Sequence, residues 1–127
     1  MKKLLLIVLF FVVGCSNKLE CTYENKSTKY VEKQSVIIKF NEDSPKSMET
    51  TLTFISDDEE MFSMLKSNIE SVKNNLDSDI SGKVEEKDNS ISLIISKKID
   101  KDEKVVDGTN DYEGIKSYFI DKGYTCK

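Results

Sequence analysis

A run of ten uninterrupted apolar residues, positions 4–13, follows Lys2 and Lys3 near the start of the chain. Two positive charges ahead of a short apolar run are typical of an export signal. A helix needs about 20 residues to span a bilayer, so this run is too short to cross one. We therefore predict that residues 1–14 are a cleaved signal peptide and that the remaining 113 of the 127 residues contain one small domain.

The apolar run ends in Val12-Val13-Gly14-Cys15, which resembles the lipobox of bacterial lipoproteins. The resemblance implies that the Cys15 thiol receives a diacylglyceryl group and that the chain is cut just before it. Two acyl chains give a lasting anchor, because each buried methylene contributes about 0.8 kcal/mol. We predict a lipidated tether over residues 15–20, a domain over residues 21–127 and a location on the extracytoplasmic face of the cell membrane. The alternatives are an ordinary cleaved signal and an uncleaved membrane helix.

The composition narrows the chemistry of the domain. Removal of the signal changes the formal net charge from −4 to −6, which argues against nucleic acid as a partner and against electrostatic adhesion to anionic lipid. All 19 basic residues are lysines, and histidine is absent. Without histidine and arginine there is no Ser-His pair, no imidazole metal ligand and no bidentate clamp for phosphate. We predict that the protein is not an enzyme and has no cofactor.

Two cysteines remain once Cys15 is lipidated, namely Cys21 and Cys126. A cysteine pair in an exported domain predicts a disulfide, here joining the start of the domain to its penultimate residue. Closing a loop of about 100 residues contributes at most about 4.7 kcal/mol in the chain-entropy model. The alternative is a reactive or metal-binding thiol pair.

Alternation of apolar and polar side chains predicts five strands, each with one buried side. They lie at residues 19–23, 30–41, 48–54, 80–87 and 90–100. We expect a hairpin loop at residues 41–47, which contain the only proline, and a turn at Asp88-Asn89.

Apolar side chains at intervals of three and four predict a central helix, with Ser56 and Glu59 as its capping box. Its apolar stripe comprises Phe62, Leu65, Ile69, Val72 and Leu76, widened by Met61 and Met64. A last helix is expected after Thr109 or Asn110, with Tyr112, Ile115 and Phe119 packed inward and Gly123 just past its end. The order βββαββα predicts an α+β fold, a twisted antiparallel sheet with two helices on one face.

The arrangement resembles the small YehR-type bacterial lipoproteins, a family of unknown function. The resemblance lies in the lipobox, in Glu59-Glu60-Met61-Phe62 at the start of the central helix, and in Lys122-Gly123-Tyr124-Thr125 at the end of the last one. It implies the fold and brings no catalytic or binding residues.

Residues 77–88 resemble an EF-hand calcium loop, with Asp77, Asp79 and Ser81 at positions 1, 3 and 5, Gly82 at position 6 and Asp88 at position 12. The alternative is a polar connection between helix and strand with Gly82 at its turn, and we assign no metal ligands. Pairing of Asp57 and Asp58 with Glu85, Glu86 and Asp88 as acid and base in an enzyme cleft is a weaker hypothesis.

These observations favour a membrane-anchored binding or interaction module for an envelope component, with an envelope protein as one possible partner. The alternatives are a lipoprotein that binds a small ligand or calcium, and an enzyme acting on cell-wall material.

Overall fold

The chain forms a six-stranded antiparallel sheet with two helices, in a computed structural model that describes residues 18–42, 44–100, 103–106 and 111–127. The predicted α+β class is therefore confirmed, with one strand more than expected. The elements in chain order are β1 Lys18–Lys26, β2 Val31–Asn41, β3 Ser44–Ile55, α1 Glu59–Asn74, β4 Ser81–Lys87, β5 Ser90–Lys98, α2 Tyr112–Asp121 and β6 Thr125–Cys126.

The strands lie in the order β4-β5-β3-β2-β1-β6, so the two ends of the described chain meet at one edge of the sheet. β1 begins at Lys18, and residues 18–20, which the sequence assigns to the tether, already pair with β2. Leu19 is fully buried, which explains why the strand begins so early. The sixth strand, β6, has two residues and is too short to show an alternating pattern.

The first long hairpin is tighter than the sequence predicts. The sequence predicts a loop over residues 41–47, yet β2 runs to Asn41 and β3 starts at Ser44, and these two residues pair with each other. Pro45 pairs with Phe40 beside a register shift between Lys39 and Phe40. A proline is tolerated at such an irregularity because it has no N–H to give to the ladder. Glu42 has a positive φ of 60° that closes the turn.

Helix α1 is capped by Asp58, whose side chain accepts a hydrogen bond of 2.9 Å from the Met61 amide. The predicted capping box is wrong, because Ser56 is engaged elsewhere. Its buried hydroxyl donates to the Lys29 carbonyl at 2.7 Å and accepts from the Asp58 amide at 3.2 Å. Ser56 thus fastens the loop between β1 and β2 to the start of the helix.

Only the middle of the predicted apolar stripe of α1 is buried. Leu65 and Ile69 are 5% and 1% exposed, whereas Met64 and Val72, which the pattern also placed on the stripe, are 51% and 45% exposed. Leu65 and Ile69 pack on the fully buried Ile91 and Leu93 of β5. The helix therefore covers the β5 side of the sheet with a narrow stripe.

Helix α2 covers the other half of the same face, where Ile115 is fully buried in a cluster with Leu19, Cys21 and Ile38. Its cap is Asp111, which accepts from the Gly114 amide at 3.2 Å, rather than Thr109 or Asn110, which lie outside the described residues.

Gly123 ends α2 in the predicted way. It has a φ of 98°, and its amide donates to the Ile120 carbonyl while the Tyr124 amide donates to the Phe119 carbonyl. These two bonds are those of a Schellman motif, in which glycine is favoured because it adopts the left-handed conformation without a steric penalty.

Candidate binding surface

Both helices lie on one face of the sheet, and the side chains of the other face form a surface that we call the open face. It consists of the even-numbered residues of β1 and β5 and the odd-numbered residues of β2 and β4. It also includes the odd-numbered residues of β3 from Ser47 onward and Thr125 of β6. Paired residues project to the same side of a sheet, and none of the buried hydrophobic residues belongs to this set. No described element covers the open face.

Hydroxyl groups dominate the centre of the open face. The register aligns Thr51, Ser35, Thr22 and Thr125 in one row across β3, β2, β1 and β6. In the neighbouring row the Thr53 and Ser92 hydroxyls lie 2.8 Å apart, joined by a hydrogen bond across β3 and β5. The centre therefore presents groups that both donate and accept hydrogen bonds.

The charged side chains of the open face are largely paired with one another along and across the strands. Glu24 lies 3.8 Å from Lys33, Lys83 lies 3.3 Å from Glu85, and Lys18 lies 3.2 Å from Glu20. Such exposed pairs contribute little stability, about 0–1 kcal/mol. Lysines outnumber acids on the open face as a whole, but the formal charges of Glu24 and Lys33, the charged residues that line the hydroxyl row, cancel.

A depression of about 520 Å³ overlies the hydroxyl row. It is lined by the four residues of that row and by Thr53, Glu24, Lys33 and Gln34, with Tyr23 and Gly123 at its edge. Its size falls within the range of ligand sites, roughly 300–1,000 Å³.

A second depression, of about 780 Å³, lies at the end of the sheet where β1 begins. Four lysines and three acids line it, together with Ile37, Met48 and three serines. The charged residues are Lys18, Lys39, Lys97, Lys98, Glu49, Asp79 and Asp100. Lys97 also bonds to Glu103, and this contact raises the pKa of Lys97 and lowers that of Glu103. The depression is therefore amphoteric.

A polar network that the sequence did not predict lies at the outer edge of the helix-covered face. The Tyr124 hydroxyl donates to Gln34 Oε1 at 2.7 Å, and Gln34 Nε2 donates to Glu32 Oε2 at 2.8 Å. Burial of Tyr124, together with the negative charge of Glu32, raises the pKa of the tyrosine. Alternation along β2 places Gln34 on the same side as Val36 and Ile38, but the tyrosine that bonds it lies 90 positions away.

The EF-hand hypothesis for residues 77–88 is wrong on geometry. Ser81–Lys87 is a seven-residue strand of about 20 Å, and it separates the turn that contains Asp77 from Asp88. Within the described ranges, no three His, Cys, Asp or Glu residues are placed to hold one metal ion.

Gly82 does not form a turn. It lies in β4, opposite Ile95, where a Cβ would stand 2.4 Å from Leu76 Cδ1. The glycine thus makes room for the leucine that follows α1.

The carboxylates considered as an acid and base pair are engaged in separate contacts. Glu86 pairs with Lys66 of α1 at 2.8 Å, on the helix-covered face, whereas Glu85 pairs with Lys83 on the open face. Asp57 accepts a hydrogen bond of 2.6 Å from Asn89, and Asp58 caps α1.

Cys21 and Cys126 form a disulfide with an S–S distance of 2.06 Å, which is the predicted pairing. Cys15, the predicted lipidation residue, lies outside the described residues. No helix in the described part of the chain is long and apolar enough to cross a membrane.

Comparison with protein-family models, with curated proteins and with solved structures gives no match for this chain. The resemblance to the YehR-type lipoproteins therefore stays a prediction.

Proposed function

We propose that the protein is a lipid-anchored extracytoplasmic lipoprotein whose open face binds a component of the cell envelope. The observation that carries this proposal is the asymmetry of the sheet. One face is buried under two helices, while the other presents two depressions and has no described element over it.

The position of the predicted anchor supports the proposal. Cys15 precedes the first residue of β1, Lys18, by three positions, a reach of at most about 11 Å. The C-terminal Lys127 pairs with Glu20 through two backbone hydrogen bonds, so both ends lie at the same end of the sheet. An anchor on Cys15 would hold that end near the membrane. The part of the open face farther from that end would then stay accessible.

Lysine footprinting on intact cells tests the proposal without assuming what the envelope component is. The extent of acetylation of each lysine is compared between cells and the purified full chain. We expect Lys33 and Lys83, which lie on the open face, to react several-fold less in cells.

Lys66 is the matched control, because it is also ion-paired and exposed but lies on the helix-covered side. Its reactivity should be the same in cells and in solution. Equal protection of all three lysines, or of none, would contradict a binding role for the open face.

A second candidate is binding of a small zwitterionic ligand, which the amphoteric depression of about 780 Å³ favours. Its lysines and acids could meet a carboxylate and an ammonium group together. Titration of amino acids and dipeptides against the thermal unfolding of the protein tests this function. A ligand-dependent rise in Tm that disappears in Lys39→Gln supports it, and a flat titration contradicts it.

A further inference from the structure

We infer that the hydroxyl row of the open face binds a neutral linear polysaccharide that lies across β3, β2, β1 and β6. This inference rests on the proposed function, because it names the class of envelope component that the open face would take.

The spacing of the row is the first argument. Thr51, Ser35, Thr22 and Thr125 stand on four adjacent strands in register. Neighbouring strands are about 4.8 Å apart, so the four hydroxyls form a line of about 14 Å with one group per strand. That period is close to the length of one sugar ring along an extended glycan, so successive sugars meet equivalent groups.

The chemistry of the row is the second argument. A threonine or serine hydroxyl both donates and accepts, and so does each hydroxyl of a sugar. Polar surfaces of this kind exchange bound water for ligand hydroxyls with little net change in hydrogen bonding, and affinity then accumulates over several contacts.

The charge of the residues beside the hydroxyl row determines which class of glycan can bind there. The Glu24–Lys33 pair flanks the row, and the formal charges of the two side chains cancel. A glycan that carries many phosphates or carboxylates would meet no excess of positive charge among the residues that line the depression, and the net charge of the domain is negative. The ligand class is therefore a neutral glycan.

The test uses the full chain purified in detergent, with chitohexaose, cellohexaose and mannohexaose as probes and calorimetry as the readout. We expect saturable binding of at least one of these neutral hexasaccharides and none of polygalacturonate. Thr51→Val should weaken binding about fivefold, since it removes one hydroxyl while keeping the shape and the β-propensity of the residue.

The matched control is Thr50→Val, a change of the same chemistry at the adjacent residue, which projects from the helix-covered face. Its affinity should equal that of the unaltered protein. Thr22→Val should behave as Thr51→Val does, because it lies two strands away in the same row.

Absence of binding by all three hexasaccharides, preference for polygalacturonate, or equal weakening by Thr50→Val and Thr51→Val would overturn the inference. Failure here is distinguishable from failure of the proposed function. Protection of Lys33 and Lys83 in cells would still report an occupied open face when no glycan binds.

Discussion

Cys21 and Cys126 stand directly opposite each other in the antiparallel pair of β1 and β6, with Cα atoms 4.1 Å apart. The adjacent pair, Glu20 and Lys127, exchanges two backbone hydrogen bonds. The cysteines therefore occupy a pair position without such bonds, where opposite side chains approach most closely. The disulfide ties a two-residue strand to the edge of the sheet.

The first prediction concerns this disulfide, which joins residues 105 positions apart. Replacement of both cysteines by alanine should lower the free energy of unfolding by about 3–5 kcal/mol, because a long loop in the unfolded chain is no longer closed. Urea unfolding measures the change. The unaltered protein under reducing conditions should lose stability to a similar extent, and a double variant as stable as the oxidised protein would contradict the prediction.

The second prediction concerns the buried Ser56 hydroxyl. Ser56→Ala should cost about 1–3 kcal/mol, since the Lys29 carbonyl and the Asp58 amide both lose a partner. Ser63 on the exposed side of α1 provides the control. Ser63→Ala should change stability by less than about 0.5 kcal/mol, because alanine is a good helix former. Equal effects in chemical unfolding would refute the role of Ser56.

The third prediction concerns the end of α2. Gly123→Ala should destabilise the protein by about 1–2 kcal/mol, because its φ of 98° lies in the left-handed region. Gly114 lies within α2, where alanine is the better residue, so Gly114→Ala should stabilise by about 0.5–1 kcal/mol. Thermal unfolding of the two variants should thus shift Tm in opposite directions, and shifts in the same direction would contradict the account.

The fourth prediction is a pH dependence at Tyr124. Because burial and Glu32 raise its pKa above the ordinary value of 10.0, the folded state favours the neutral phenol. The stabilisation is fully present below the ordinary value and is lost as the pH rises through the raised pKa. Between about pH 9 and 11 the free energy of unfolding should therefore fall more steeply for the unaltered protein than for Tyr124→Phe. A steeper fall in the variant would contradict this assignment.

Much of the fold could be predicted because local patterns and tertiary packing agree. Period-two alternation along β2 places Val36 and Ile38 on one side, and the structure buries both residues. The spacing of Leu65 and Ile69 places them on one side of α1, and the sheet buries both. Gly123 could be placed past the end of a helix because the C-terminal turn has a local chemical requirement.

The remaining details depend on long-range contacts that no local pattern encodes. Ser56 stands where the local sequence predicts a helix cap. Its hydroxyl instead donates a hydrogen bond to a carbonyl 27 positions away, and Asp58 caps the helix. Met64 and Val72 have the spacing of a buried stripe, but α1 rests on the sheet through a narrower one.

The candidate binding surface could not be predicted from the sequence for the same reason. Each strand shows that its hydroxyls alternate with apolar residues, but the row from Thr51 to Thr125 exists only through the register of four strands. Register depends on hairpin geometry and on pairing between distant segments. Residues 77–88 show the opposite case. They match the residue types of an EF-hand loop, but most of the segment forms the strand β4 instead of a loop.

The most direct test of the central claim is the mass of the N-terminal peptide of the mature protein, purified from the membranes of an expressing bacterial host. The account predicts a peptide that begins at Cys15 and carries a diacylglyceryl group on the thiol, together with loss of the protein from the membrane fraction in Cys15→Ala. An unmodified Cys15, or a mature chain that begins elsewhere, would contradict it.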